Sequence, residues 1–117
     1  MNNVLLVDDE MLVIQAIHEN ICWSRCKADQ VFLCDNVNFA KAIVEKTDIR
    51  LVISDIEMPG ADGLTFVKWL RENYPEIVVI FLTGYAEFEY AKAAVALKVE
   101  DYILKPVIYE ELEEKII

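Results

Sequence analysis

Short runs of mostly apolar residues recur along the chain at 3–8 (NVLLVD), 30–35 (QVFLCD), 50–55 (RLVISD), 77–82 (IVVIFL) and 101–105 (DYILK). Each has the length of a strand and shows almost no alternation with polar positions. Such a strand needs apolar cover on both faces, which is the condition of a parallel sheet. Between the runs the apolar residues take up helical spacing: Val13, Ile17 and Ile21; Leu64, Val67 and Leu70; Phe88, Ala91 and Val95; Ile108, Leu112 and Ile116. The segment 36–46, with Phe39 and Ile43, is a weaker fifth case. Strand and helix alternate five times, which predicts an α/β fold: a doubly wound five-stranded parallel sheet with helices on both faces. With no repeats, low-complexity tracts or linker, residues 1–117 read as one domain. The last apolar stripe runs on without a glycine cap, as it would if the natural protein continued beyond Ile117, although a frayed terminus would look the same.

Composition narrows the function. A chain of 117 residues that is 56% hydrophobic can bury a core. It has no apolar run of 18 residues, and MNNVLLVDDE lacks a basic leader, so a cytoplasmic protein with no membrane contact is expected. The net charge of −10, from 21 acids against 11 bases, repels nucleic acid phosphates. No direct nucleic acid binding is expected. The cysteines, Cys22, Cys26 and Cys34, lie in or beside apolar segments and read as reduced, mostly buried thiols. His18, Cys22 and Cys26 fall at i, i+4, i+8, the spacing of a metal-ligand stripe on a helix, but no fourth ligand is evident.

The chemistry sits at the ends of the strands. The first run ends in Asp8-Asp9-Glu10, the third in Asp55, the fourth in Thr83 and the fifth in Lys105. Strand C-termini in an open parallel sheet share one edge. With the first and third strands adjacent, Asp8, Asp9 and Asp55 gather, and each raises the pKa of the others. Oxygen ligands with spare positions suit magnesium. An aspartate beside such a cation can act as a nucleophile and form an aspartyl phosphate. The cation and Lys105 then offset phosphoryl charge, while Thr83 offers a hydroxyl to a phosphate oxygen. Pro59-Gly60 supplies a tight turn, and Asp62 is a candidate N-cap for the next helix. Each residue also has a plainer explanation. Asp8 and Asp9 can cap a helix, Thr83-Gly84 can be a strand exit, and Tyr102 an exposed strand aromatic. The run EELEEK at 110–115 reads as a solvated helix face with a Glu111–Lys115 pair. What points to a site is the meeting of these groups at matching strand ends.

Four motifs in order, LLVDDE, SDIEMPGADGL, FLTGYAEFEYAKAA and DYILKP, make the chain resemble a CheY-like response-regulator receiver domain over essentially its whole length. The stretch TGYAEFEYA, with Trp23, resembles the YesN-type receivers, which usually precede an AraC-type helix-turn-helix domain. The resemblance implies the flavodoxin-like strand order 2-1-3-4-5. It implies Asp55 as phosphoacceptor, Asp9 as direct Mg2+ ligand, Asp8 as a second acid acting through water, and Glu57 as the donor of a backbone carbonyl to the metal. Thr83 and Tyr102 match the switch pair, Lys105 the family lysine, and the Lys105–Pro106 bond is expected cis. The implied partners are a sensor histidine kinase, the chain's own C-terminal output domain, and a second copy on phosphorylation. The readout would be a changed surface on the fourth helix, fifth strand and fifth helix, with Tyr90, Ala93 and Ala96 in it. Beyond its own phosphorylation and dephosphorylation, no enzyme activity is implied. Glu57 and Tyr85 flank the site and are expected to tune the phosphate's lifetime.

Three departures from the family pattern bear on local geometry. DNVNFA replaces the frequent Asn-Gly turn before the second helix, so Asn36 or Asn38 is expected to take positive φ. Lys98 stands where a glycine usually ends the fourth helix, and Met11 replaces a common proline at the pocket mouth. Rival readings fit less well. A haloacid-dehalogenase-type phosphatase puts its acid after the first strand and needs a cap domain. A flavodoxin-like electron carrier needs a hydroxyl- and glycine-rich phosphate loop where this chain has VDDEML. A receiver that only binds partners leaves the acid pair, Asp55 and Lys105 without a purpose.

Overall fold

The computed structural model describes residues 2–56, 63–84, 92 and 95–116. Five strands, β1 (Asn3–Val7), β2 (Gln30–Cys34), β3 (Ile49–Asp55), β4 (Val78–Thr83) and β5 (Asp101–Leu104), form one parallel sheet in the order β2-β1-β3-β4-β5. The described helices are α1 (Met11–Asn20), α2 (Val37–Lys46), α3 (Gly63–Asn73) and α4 (Tyr109–Ile116). Most of the helix expected around Phe88 and Ala91 lies outside the described residues, though Lys92, Val95 and Ala96 are helical.

The continuous apolar runs follow from a core on each face. Leu5 and Val7 of β1, with Val52, Val79 and Phe81, pack against Val37, Ala40 and Val44 of α2 and Phe66, Val67 and Leu70 of α3. Their strand neighbours Val4, Leu6, Ile53, Ile80 and Leu82 pack against Ile14 and Ile17 of α1 and Leu112 of α4. Successive side chains in a strand point to opposite faces, so both parities must be apolar.

Two of the expected helical stripes hold and one sits in a different phase. In α1 and at its C-cap, Ile17 and Ile21 are buried beside Ile14, with Val13 partly so; in α3, Val67 and Leu70 are buried beside Phe66, with Leu64 partly so. In α2 the buried face is Val37, Ala40 and Val44, leaving Phe39 67% exposed. Asn36 sets that phase. It is extended, with φ −153°, and its side chain accepts a hydrogen bond from the Phe39 N–H at 2.9 Å. Asn36 is thus an N-cap and does not take the positive φ expected of it. Asn38 lies within α2, and the non-glycine positive φ values among the described residues belong to Lys27 and Lys98.

Lys98, at φ 55°, ends its turn in the left-handed region, with its N–H bonded to the Val95 carbonyl at 3.1 Å. A side chain there is strained and glycine is not. Lys98→Gly is therefore expected to stabilise the domain by about 0.5–1 kcal/mol, read as a rise in melting temperature. An unchanged or lower melting temperature would count against strain at this turn.

Candidate functional site

The strand ends converge as the topology requires. The Asp8 N–H continues the ladder to the Cys34 carbonyl at 3.1 Å, and the Ile56 N–H bonds the Leu82 carbonyl at 3.0 Å beyond the end of β3. The Lys105 N–H bonds the Thr83 carbonyl at 2.7 Å, joining β5 to β4 at the same edge. Asp8, Asp55 and Thr83 are all buried there, at 0%, 5% and 1% exposure, and Asp9 is exposed beside them. Carboxylate oxygens of Asp8, Asp9 and Asp55 lie within 4.8 Å of one another. Among the described residues this is the one such cluster of three or more potential metal ligands. Lys105 Nζ reaches it at 2.8 Å from Asp8 Oδ2 and 3.4 Å from Asp55 Oδ1.

Burial and mutual repulsion govern the charges. Burial, then the charge of Asp8, pushes the Asp55 carboxyl up to about 6, against the pull of Lys105. Burial also holds Asp8 above the ordinary carboxylate value, although Lys105 and the Glu10 N–H both favour its ionised form. Burial pulls the Lys105 ammonium down, but Asp8 and Asp55 outweigh it and its pKa ends above that of ordinary lysine. The pocket therefore holds more negative charge than one lysine comfortably offsets. Asp8 Oδ2 is buried and, among the described residues, is met by the Lys105 ion pair alone, so it retains acceptor capacity. That donor set, all oxygen and short of positive charge, fits a hard divalent cation.

The α1 entrance follows a different plan from a simple cap. Glu10 is the N-cap and makes no side-chain cap bond; Asp8 Oδ1 instead accepts the Glu10 N–H at 2.9 Å. Asp8 is thereby oriented for the pocket rather than for the helix. Tyr102 is half-buried against the α2–α3 core and faces Phe81 in register, so it is not a freely exposed aromatic. The Lys105–Pro106 bond is cis. Glu57, Pro59, Gly60, Asp62, Tyr85, Tyr90 and Ala93 lie outside the described residues.

Gly63 was not among the expected site residues. It opens α3, its N–H bonds the Ile56 carbonyl at 2.6 Å, and a Cβ built there would collide with the Asp55 carbonyl oxygen. The chain after Asp55 returns so closely that only glycine fits, which fixes the backbone of the central aspartate. The available signal was a glycine at the start of a helical pattern, a mark of close backbone approach.

One other expectation is overturned, and a spacing set aside for want of a fourth ligand proves not to be a helical stripe. Lys115 pairs with Asp101 at 2.7 Å, across to β5, rather than with Glu111 along its own helix. His18, Cys22 and Cys26 do not form a helical stripe, because α1 stops at Asn20 and Ile21 is extended. Cys22 is exposed, Cys26 half-buried and Cys34 buried, so the thiols are not uniformly internal.

Comparison with known proteins agrees with this geometry. The family profile described as the response regulator receiver domain matches residues 4–117. The chain is 35% identical over 118 residues to the uncharacterized transcriptional regulatory protein YesN of Bacillus subtilis (strain 168), covering 97% of this chain and 32% of that protein. It is 30% identical over 113 residues to the transcriptional regulatory protein HptR of Staphylococcus aureus (strain NCTC 8325 / PS 47), covering 97% of this chain and 44% of the relative. The chain thus spans less than half the length of these relatives. Among solved structures, the REC domain of AraT, a response regulator from Geobacillus stearothermophilus, superposes with a TM-score of 0.89 at 35% identity, over 97% of this chain and 88% of that one. A two component transcriptional regulator AraC from Clostridium phytofermentans ISDg gives 0.85 at 31% identity, over 97% and 87%. With a family profile matching residues 4–117 and solved receiver domains superposing on nearly the whole chain, the chain belongs to the receiver domains of two-component response regulators.

Proposed function

We propose that Asp55 is the phosphoacceptor of this receiver and that a sensor histidine kinase is its donor. The observation that carries the reading is the approach of three carboxylates to within 4.8 Å of one another at the end of the central strand, with Lys105 Nζ between Asp8 and Asp55. Asp8, Asp9 and Asp55 would hold Mg2+, together with the backbone carbonyl of Glu57. When bound, the ion supplies positive charge to the oxygens of the transferring phosphoryl group. An Asp55 carboxylate oxygen attacks phosphorus; the new O–P bond forms as the bond to the donor breaks, and the leaving group takes that electron pair and a solvent proton. Lys105, already held by two carboxylates, offsets charge on the phosphoryl oxygens. Gly63 holds the Asp55 backbone in place. No step of chemistry on a further substrate is assigned to the domain.

Phosphorylation adds about 1.5 to 2 negative charges and three acceptor oxygens. Thr83 and Lys105 then close on the phosphate, and Tyr102 moves further inward. The signal passes to the face that holds β5, α4 and the segment around Val95 and Ala96, for an output domain of AraC type or a second copy. The relatives' description as transcriptional regulators supports that output, and the −10 charge supports leaving DNA contact to it. Among the described residues no helix is long and apolar enough to cross a membrane, and we place the protein in the cytoplasm.

Intact mass after incubation with a small acyl phosphate and Mg2+ tests the assignment. Wild type is expected to gain one phosphoryl group only when Mg2+ is present, and Asp55→Asn none. A folded wild type that gains nothing, or an Asp55→Asn variant that gains as much, would overturn it.

A further inference from the structure

We propose that Cys22 is a modifiable thiol resolved by Cys26, so that a low-molecular-weight disulfide converts the pair into an intramolecular bridge. After Ile21 the chain winds into one further turn: the N–H groups of Arg25 and Cys26 reach the Cys22 carbonyl at 3.1 and 3.4 Å. Residues 22 and 26 thereby open and close a single turn held by an i, i+4 backbone bond; in a regular helix such a pair has Cβ atoms about 5–6 Å apart. A disulfide needs about 3.5–4.5 Å between Cβ atoms. The bond is thus within reach, provided the turn tightens.

The two thiols differ in the way this chemistry requires. Cys22 is exposed and its Sγ lies 3.4 Å from Ser24 Oγ. That hydroxyl, then the Arg25 N–H, lowers its pKa and so enlarges the thiolate fraction. Cys26 is half-buried against the α1–α4 core, and burial raises its pKa. Cys34 is buried in β2, with its Sγ donating to the Asn36 carbonyl at 3.0 Å, and stands apart. The Cys22 thiolate attacks one sulfur of the low-molecular-weight disulfide, forming a mixed disulfide and expelling one thiolate. Cys26 then loses its proton to solvent and attacks Cys22 Sγ, expelling the second. Two cysteine thiols are oxidised, and one disulfide is reduced to two thiols.

The same turn is tied to the last helix. Glu113 of α4 accepts the Cys22 N–H at 2.6 Å through Oε1 and pairs with Arg25 Nη1 at 2.9 Å through Oε2. Tightening the turn displaces both donors, so the bridge releases Glu113.

The full chain is incubated with oxidised glutathione at pH 7, and its mass and free thiols are measured. Wild type is expected to lose two of its three thiols, with mass lower by the two hydrogens and no adduct retained. Cys26→Ser should stop at one glutathionyl adduct on Cys22; if it does not fold, Cys26→Ala carries the same test. Cys22→Ser should react at least about tenfold more slowly than wild type. A stable adduct on wild type, a linked dimer, or Cys22→Ser reacting at the wild-type rate would overturn the proposal. In the bridged form the Cys22 amide should exchange with solvent at least about tenfold faster; an unchanged rate would sever the link to α4.

Discussion

Replacing Lys105 with methionine is expected to destabilise the metal-free domain by about 3 kcal/mol at pH 7.5. Lys105 Nζ is the cation shared by Asp8 and Asp55, and its removal leaves two buried carboxyls facing each other. The loss should depend on pH in a defined direction. Both acids already have raised pKa values and will rise further without the ammonium. Below that range they are neutral and the missing cation costs little; as pH rises through it they ionise and stability falls. Lysine itself adds no slope near neutrality. Its pKa is raised, so its contribution is complete below the ordinary lysine value and fades only at higher pH. Urea denaturation at pH 5 and 7.5 checks this, with millimolar Mg2+ expected to restore part of the loss. Equal midpoints for wild type and variant at pH 7.5 would show that Lys105 does not hold the acid pair together.

The opposite effect is expected at Asp55. Asp55→Asn should stabilise the metal-free domain by about 2–3 kcal/mol at pH 7.5, the rise of its carboxyl pKa from 3.8 to about 6 being equivalent to about 3 kcal/mol. The folded state holds this proton more tightly than the unfolded state. Raising pH from about 4 to 6 therefore lowers wild-type stability, and above 6 the penalty is fully present. The amide has no proton to lose and abolishes that slope, so wild type and variant should converge at pH 4 and diverge at pH 7.5. Mg2+ should narrow the gap by stabilising wild type more. Melting curves at the two pH values, with and without Mg2+, decide the matter. A variant no more stable than wild type at pH 7.5 would mean that Asp55 ionises in the pocket without strain.

Both effects arise from residues visible in the sequence, because each ends a strand and parallel strands end together. Elsewhere the sequence was a poorer guide, for reasons that can be named. Phe39 and Ile43 stand at i, i+4 and make as good a stripe as Val37, Ala40 and Val44, but the Asn36 cap sets the helix phase and the large Phe39 is left outside. Glu111 and Lys115 have the spacing of a helical pair, yet Asp101, on a strand, lies closer to the ammonium. Glu113 and Cys22 are 91 residues apart, and no local pattern links them.

The sequence alone determined the alternation of strand and helix, the burial of the sheet on both faces, and the set of acids, hydroxyl and ammonium at the strand ends. These follow from period and position, which are local properties of a chain. Only the tertiary structure decided which side of α2 faces the sheet, which charge finds which partner, and that Gly63 must be a glycine because the Asp55 carbonyl fills its space. Those depend on distances between segments far apart in the chain, and distance is set by packing, not by order.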